Sequence, residues 1–360
     1  MKRLIAVLLL LCMVFAGCNK TEETTPSTDA TTEATTEASA EATEQESQEP
    51  GVVYQNPLTG MTVGKKITNR PVAVVINNIY EAQPLHGIGQ ANILCEIVAE
   101  GGGSITRMLA VFSDISQVSK VGSIRSARTY LLDLAKSFNA IFVHSGGSTY
   151  AYDALRSGGY DHVDGRVESG FYRDKERQSS GYALEHTLFS SGERLLKRIA
   201  DKKLKLDTGK ELDYGWKFAE KPTVNGETAN TVKVRFTSAR GKGTFFEYQK
   251  DLGVYFCTQH FYNKHNKPLL DANTDSPLTF RNVIVLKAKT TSDGYRMFAE
   301  LTGTGEGYYA CDGKIVPIKW SRASEKDPFV YSLEDGTPIT LGTGTTYIVV
   351  VSTKSPISYE

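Results

Sequence analysis

An α+β fold is predicted, with an N-terminal α/β layered region followed by a mainly antiparallel, β-rich C-terminal region. Three observations lead there. From Arg70 to about Leu212, short β-branched runs alternate with amphipathic stretches, the texture of strands layered against helices. After Gly215 the chain turns to short Tyr-, Val- and Phe-rich segments, most of which alternate apolar with polar residues. Asp293-Gly294, Asp312-Gly313 and Asp335-Gly336 lie between those segments, and Asx-Gly is a hairpin signal.

The first strand is Pro71 to Ile76, continuous and β-branched as in a strand buried on both faces, and it ends at Asn77-Asn78. Ile93 to Val98 and Met108 to Phe112 are further strands, the former also compatible with a helix. Thr129 to Lys136 carries apolar residues at helical spacing and closes on a cation, which suits a helix C-terminus. Ala140 to His144 is a strand running into Ser145-Gly146-Gly147-Ser148, and a helix from about Tyr150 to Arg156 follows. Ser190-x-x-Glu193 reads as a capping box opening another helix. In the second half, strands are expected at 231–236, 243–248, 254–257, 283–289, 295–301, 308–311, 315–320 and 345–351. The boundary falls near Asp213 to Thr223, giving bodies of 51–215 and 216–360, and no fixed-period repeat is present.

The first 50 residues differ in kind. Met1-Lys2-Arg3, an apolar run from Leu4 to Ala16 and then Gly17-Cys18 form an export signal over residues 1–17, too short for a permanent span. Phe15-Ala16-Gly17-Cys18 resembles a bacterial lipobox, so Cys18 is expected to be lipidated and to hold the protein on the outer face of the cell membrane. Residues 18–50 are then a tether. From Asn19 to Pro50 it holds nine acidic residues and one Lys, with no aromatic or branched aliphatic residue, a composition that cannot offset the entropy of ordering.

Overall the 360 residues carry 41 basic and 41 acidic side chains, which argues against a dedicated nucleic-acid binder. Without signal and tether, residues 51–360 retain 38 basic and 32 acidic groups, a net +6 that favours anionic partners. Of five cysteines, Cys12 lies in the signal and Cys18 is the anchor. Cys95 reads as a small core residue, and Cys257 with Cys311 leaves room for one bridge. No C-x-x-C pair occurs, and His260 with His265 are spaced for neither a strand face nor a helical pair, so no metal or cofactor is expected.

Candidate site residues cluster in the first half. Glu96 and Glu100 are four apart, an offset that keeps them on one face of a strand or a helix. Gly101-Gly102-Gly103 and then Arg107 follow. Gly122-Ser123-Ile124-Arg125-Ser126-Ala127-Arg128 leads directly into a helix. Arg125 and Arg128 there oppose the helix dipole, which suggests a shared anion. That anion is either a ligand phosphate or carboxylate, or Glu96 or Glu100 itself. Gly146, Gly147 and Ser148 end a strand where α/β sheets keep ligands, and form a backbone cradle for an anion. Arg173, in Phe171 to Asp174, and His186, beside Glu185, form another polar cluster. Asn78 completes the binding set.

The stretches Arg70 to Asn78, Ala91 to Gly101, Ile105 to Arg107, Ala110 to Phe112, Val121 to Arg128 and Gly146 to Ser148 resemble the YerB-like family of lipoproteins from Gram-positive bacteria. Phe171 to Arg177 and His186 to Phe189 look similar too, as do Trp320 and Gly342 to Val350 in the second half. Asn77 stands where an Asp is common, and Glu185-His186-Thr187 replaces Pro-His-Asn. The resemblance implies a two-domain envelope lipoprotein and brings no activity with it.

The expected function is therefore a binding or regulatory module for an anionic envelope ligand or a membrane-protein partner. The alternative is a wall glycan or peptide hydrolase or transferase using Glu96 with Glu100, or His186.

Overall fold

Each of the seven residues of strand β1 (Val72–Asn78) is buried, the outcome foreseen from its unbroken β-branched run. The computed structural model describes residues 53–237 and 241–360; the export signal, Cys18 and the tether lie outside the described residues. Strands β2 (Ile93–Glu100) and β3 (Ile105–Phe112) follow as an antiparallel hairpin, so the helical option for Ile93 to Val98 falls away. Helix α1 (Thr129–Ser137) buries Tyr130, Leu131, Leu132, Leu134 and Ala135. It is succeeded by β4 (Ile141–His144), α2 (Thr149–Gly158) and β5 (His162–Asp164).

Ser148 caps α2 by accepting from the Ala151 N–H at 3.1 Å, and Gly159 closes it in the left-handed region that glycine adopts freely. Helix α3 (Gly192–Asp201) starts one residue later than the capping box implied. Its cap is Ser191, which accepts from Arg194 N–H, while the Ser190 hydroxyl is spent on the Gly170 carbonyl at 2.7 Å.

Strands expected in the second half form as β6 (Thr231–Arg235), β7 (Gly243–Gln249), β8 (Val254–His260), β9 (Asn282–Ala288), β10 (Gly303–Cys311), β11 (Lys314–Arg322) and β12 (Thr346–Ser352). The stretch 295–301 shrinks to the short strand Met297–Ala299, and β13 (Ile357–Tyr359) is an addition not among those expected. Asp312 and Gly313 join β10 to β11 with φ of 53° and 69°, the paired left-handed conformation of a two-residue hairpin. Cys95, Cys257 and Cys311 are all buried free thiols, so the Cys257–Cys311 bridge does not form.

Strands of both halves enter one 11-stranded sheet. Its order is Glu227–Thr228, β11, β10, β9, β12, β2, β3, β1, β4, β5, with Val330–Ser332 added beside β11. β12 lies between β9 and β2 and runs parallel to both. A second sheet of six strands contains β8, β7, β6 and β13 in that order, with antiparallel pairing throughout. It covers one face of the large sheet, where the Tyr347 ring meets Phe246 and Phe280 edge-on at 5.0 and 4.9 Å. α1 packs on the opposite face, where the Tyr130 hydroxyl donates to the Ala99 carbonyl at 3.3 Å. The β1–β2–β3 region is thus sandwiched between helix and sheet, and the charged residues lie on its two faces.

Candidate functional site: two carboxylates on opposite faces

The even spacing of Glu96 and Glu100 does not put them together. Val98 pairs with Thr106 and Glu100 pairs with Ile105, so Ala99 is an extra residue bulged out of the β2–β3 ladder. A bulge shifts the alternation of side chains by one position. Glu96 therefore shares the face of Thr106 and Met108, toward the second sheet, and Glu100 shares the face of Arg107, toward α1. Each builds its own cluster.

Glu96 is fully buried. One carboxylate oxygen accepts from Asn78 Nδ2 and Thr106 Oγ1, both at 2.7 Å, and lies 3.1 Å from Lys242 Nζ. The other accepts from the Tyr347 hydroxyl at 2.6 Å and from Thr244 Oγ1. Asn78 also donates to Gln259 Oε1 at 3.0 Å, and Lys242 donates to the same oxygen. Burial pushes the Glu96 carboxyl up, but Lys242 and the hydrogen bonds from Thr244, Tyr347 and Thr106 together carry it below the usual range. This is an internal tie between β1–β3, the second sheet and β12, with every acceptor position taken. Asn78 and Glu96 have no capacity left for a ligand.

On the other face Glu100 stands between two guanidiniums. Arg107 Nη2 approaches its two oxygens at 3.0 and 3.2 Å, and Arg128 Nη2 forms a close ion pair with it. Arg107 Nη1 donates to the Ser126 carbonyl at 3.0 Å, and Arg128 Nη1 to the Ala127 carbonyl at 2.8 Å. The carboxylate that the arginines ahead of α1 called for is thus partly supplied from within, at Arg128. Arg125 is different. Its Nη1 reaches the Glu185 carbonyl at 3.4 Å, and its Nη2 lies 3.9 Å from a Glu185 side chain that is 55% exposed. The Nε atoms of Arg125 and Arg128 and the Ser123 hydroxyl are buried without a hydrogen-bond partner among the described residues. Burial lowers all three guanidiniums from their ordinary value, and Arg107 adds to this at Arg125.

Two more arginines lie at the rim. Arg173, exposed, donates to the Leu184 carbonyl and acts electrostatically on Arg125. Arg296 bridges its backbone to Glu100, pairs with Asp293 at 3.1 Å and acts on Arg128. Nothing in the local sequence marked Arg296, because it arrives from the Thr290–Ser292 and Met297–Ala299 hairpin of the second half.

The remaining candidates are mostly engaged internally. The Gly146 N–H donates to Asp164 Oδ1 at 2.7 Å, Gly147 bridges to Ala127, and Ser148 is the α2 cap, so the backbone cradle encloses the protein's own carboxylate. His144 donates or accepts at Nδ1 with the Gly146 carbonyl at 2.8 Å and at Nε2 with His162 at 3.0 Å. Burial drives it down to about 4, hence neutral. His186 is buried, bonded at Nδ1 to Asn77 at 2.9 Å, with Nε2 3.7 Å from Glu185.

Residues 58–205 match the family described as "Protein of unknown function (DUF3048) N-terminal domain", and residues 232–348 match its C-terminal domain. The chain is 30% identical over 304 residues to "Putative lipoprotein YerB" of Bacillus subtilis (strain 168), across 82% of this chain and 85% of that protein. The crystal structure of the Bacillus subtilis YerB protein superposes with a TM-score of 0.71 at 29% identity, covering 84% of this chain and 99% of that one. The order of the two matched regions, the identity across both and the shared fold all agree: this chain belongs to the DUF3048 family of YerB-like proteins.

Proposed function

We propose that the protein is a lipoprotein anchored through Cys18 on the extracytoplasmic face of the membrane, and that it binds an anionic envelope ligand or partner at the Arg125 rim. The name of its Bacillus subtilis relative and the export pattern of residues 1–18 support the anchoring. The binding reading rests on one observation. Five guanidiniums, of Arg107, Arg125, Arg128, Arg173 and Arg296, gather around three carboxylates, of Glu100, Glu185 and Asp293, a local excess of two positive charges. Arg125, held only by long contacts, is the member whose planar fork has donors to spare.

The hydrolase or transferase alternative is weaker, because Glu96 and Glu100 face opposite sides of the sheet and cannot flank one scissile bond. The test is calorimetric titration of the full-length protein, in neutral detergent, with muramidase-released wall fragments that carry free carboxylates. Arg125→Ala with Arg173→Ala should weaken binding about tenfold, equivalent to about 1.4 kcal/mol, while the melting temperature holds. Binding equal to wild type in that double variant ends this assignment.

A further inference from the structure

A second group of cations lies at the other end of the same sheet, and nothing above uses it. A cleft of about 430 Å³ opens beside the start of β1 and β4. Arg70, Lys136, Lys205 and Lys326 line it, against one lining carboxylate, Asp161. β1 spans roughly 20 Å at about 3.3 Å per residue, which separates this cleft from the Arg125 rim.

The four cations divide into two kinds. Arg70 is buried and structural: its guanidinium donates to the Asn139 carbonyl at 2.8 Å and the Lys205 carbonyl at 3.2 Å, and it pairs with Asp161. Lys136 is buried in the last turn of α1, where a cation is favoured by the helix dipole, and it pairs with Glu325 at 2.7 Å. These two account for themselves. Lys205 and Lys326 do not. Both are exposed, neither belongs to a helix or strand, and neither forms an ion pair within 4.0 Å among the described residues. Asp207 and Glu325 act on them only from farther away. Two exposed ammonium groups on the lining of one cleft raise the local concentration of an anion. An ammonium binds phosphate as a compact point charge with three rotatable donors, so two lysines can share the oxygens of one phosphate group.

We infer that this cleft is a phosphate site, in which Lys205 and Lys326 grip a phosphate or phosphodiester group across the mouth, while Arg70 and Lys136, each paired with a carboxylate, hold the floor in place. Lys205 comes from the first half and Lys326 from the second, so the bound group clasps the two halves together. The chemistry is the same for a soluble phosphate polymer and for an anionic lipid headgroup, and the site is independent of the Arg125 assignment.

The experiment uses the full-length protein in neutral detergent, titrated by calorimetry with three probes: tripolyphosphate, dihexanoyl phosphatidylglycerol and dihexanoyl phosphatidylcholine. Saturable binding of tripolyphosphate alone assigns the site to a soluble phosphate chain. Binding of phosphatidylglycerol over phosphatidylcholine assigns it to a headgroup. In either case Lys205→Gln with Lys326→Gln should weaken binding roughly tenfold and flatten its salt dependence, with the ligand-free melting temperature unchanged. Arg125→Ala with Arg173→Ala should leave in place the binding component that the lysine double variant removes, so failure at one site is told apart from failure at the other. Absence of saturable binding by both anionic probes, or wild-type affinity in the lysine double variant, overturns the proposal. Should the Gln pair lose its fold, Lys205→Arg with Lys326→Arg keeps both charges, and loss of binding there in a folded protein would equally refute a charge-based grip.

Discussion

Glu96 shows what a single charge does when all its partners are inside the protein. With Lys242 beside it and four hydrogen bonds filling its oxygens, it remains ionised in the core. Removing one member of such a pair strands the other, a change that typically costs about 3–5 kcal/mol. Glu96→Gln is therefore expected to lower the unfolding free energy obtained from urea melts by an amount of that order, whereas Glu96→Leu with Lys242→Met should recover most of the loss. The carboxyl is held below its unfolded value near 4.5, so its contribution is complete above that pH and fades as pH falls through the lower folded value. Glu96→Gln should accordingly flatten that acid limb in urea melts taken at stepped pH. A glutamate inside an apolar strand was legible as significant. Its meaning was not, because Tyr347 lies 251 positions away and Thr244 148 positions away. The same holds at Arg128, whose partner Glu100 could be named as a candidate but not chosen over a ligand until both side chains were placed.

Elements obey local rules where those rules involve neighbours alone. The Asp312-Gly313 turn was read correctly because φ > 0 at both positions is a property of the dipeptide. A Cβ on Gly313 would lie 2.7 Å from the Tyr248 ring, so Gly313→Val should cost about 1–3 kcal/mol, measured by thermal melting. The bulge at Ala99 is the counterexample: parity along one strand says nothing about an extra residue whose only signature is the register of the partner strand. The turn between β4 and α2 carries its own test. His144 holds the Gly146 carbonyl and His162, and faces Asp164 at 3.8 Å. Its folded value of about 4 lies below its unfolded 6.5, so on acidification the unfolded chain takes up the proton first. Stability should fall between pH 6.5 and 4 by something on the order of 3 kcal/mol. His144→Gln should remove much of that slope, and a wild-type slope in the variant would assign it to other groups.

At the scale of the whole molecule, the change of texture near Asp213 to Thr223 was visible in composition, but the sheet that runs across both halves was not. Composition describes what each strand buries and not which strand lies beside it, and β12 reaches its place between β2 and β9 only after nearly the whole chain has been laid down. This placement has a mechanical consequence. Without β12, β2 presents an open edge of backbone donors and acceptors inside a face-covered sheet, and β9 loses its parallel neighbour as well. Glu96 simultaneously loses Lys242, Thr244 and Tyr347, all of which come from the second half. Residues 51–215 expressed alone are therefore expected to expose that edge and a stranded carboxylate, giving an aggregating or loosely folded species by size exclusion and amide NMR dispersion. Mixing with residues 216–360 during refolding should restore the native signature, since both the open strand edge and the unpaired charge are then satisfied by the same docking event. A dispersed spectrum from 51–215 alone would show instead that the helix-covered face supplies enough burial by itself, and that the shared sheet is an embellishment on an independent first half.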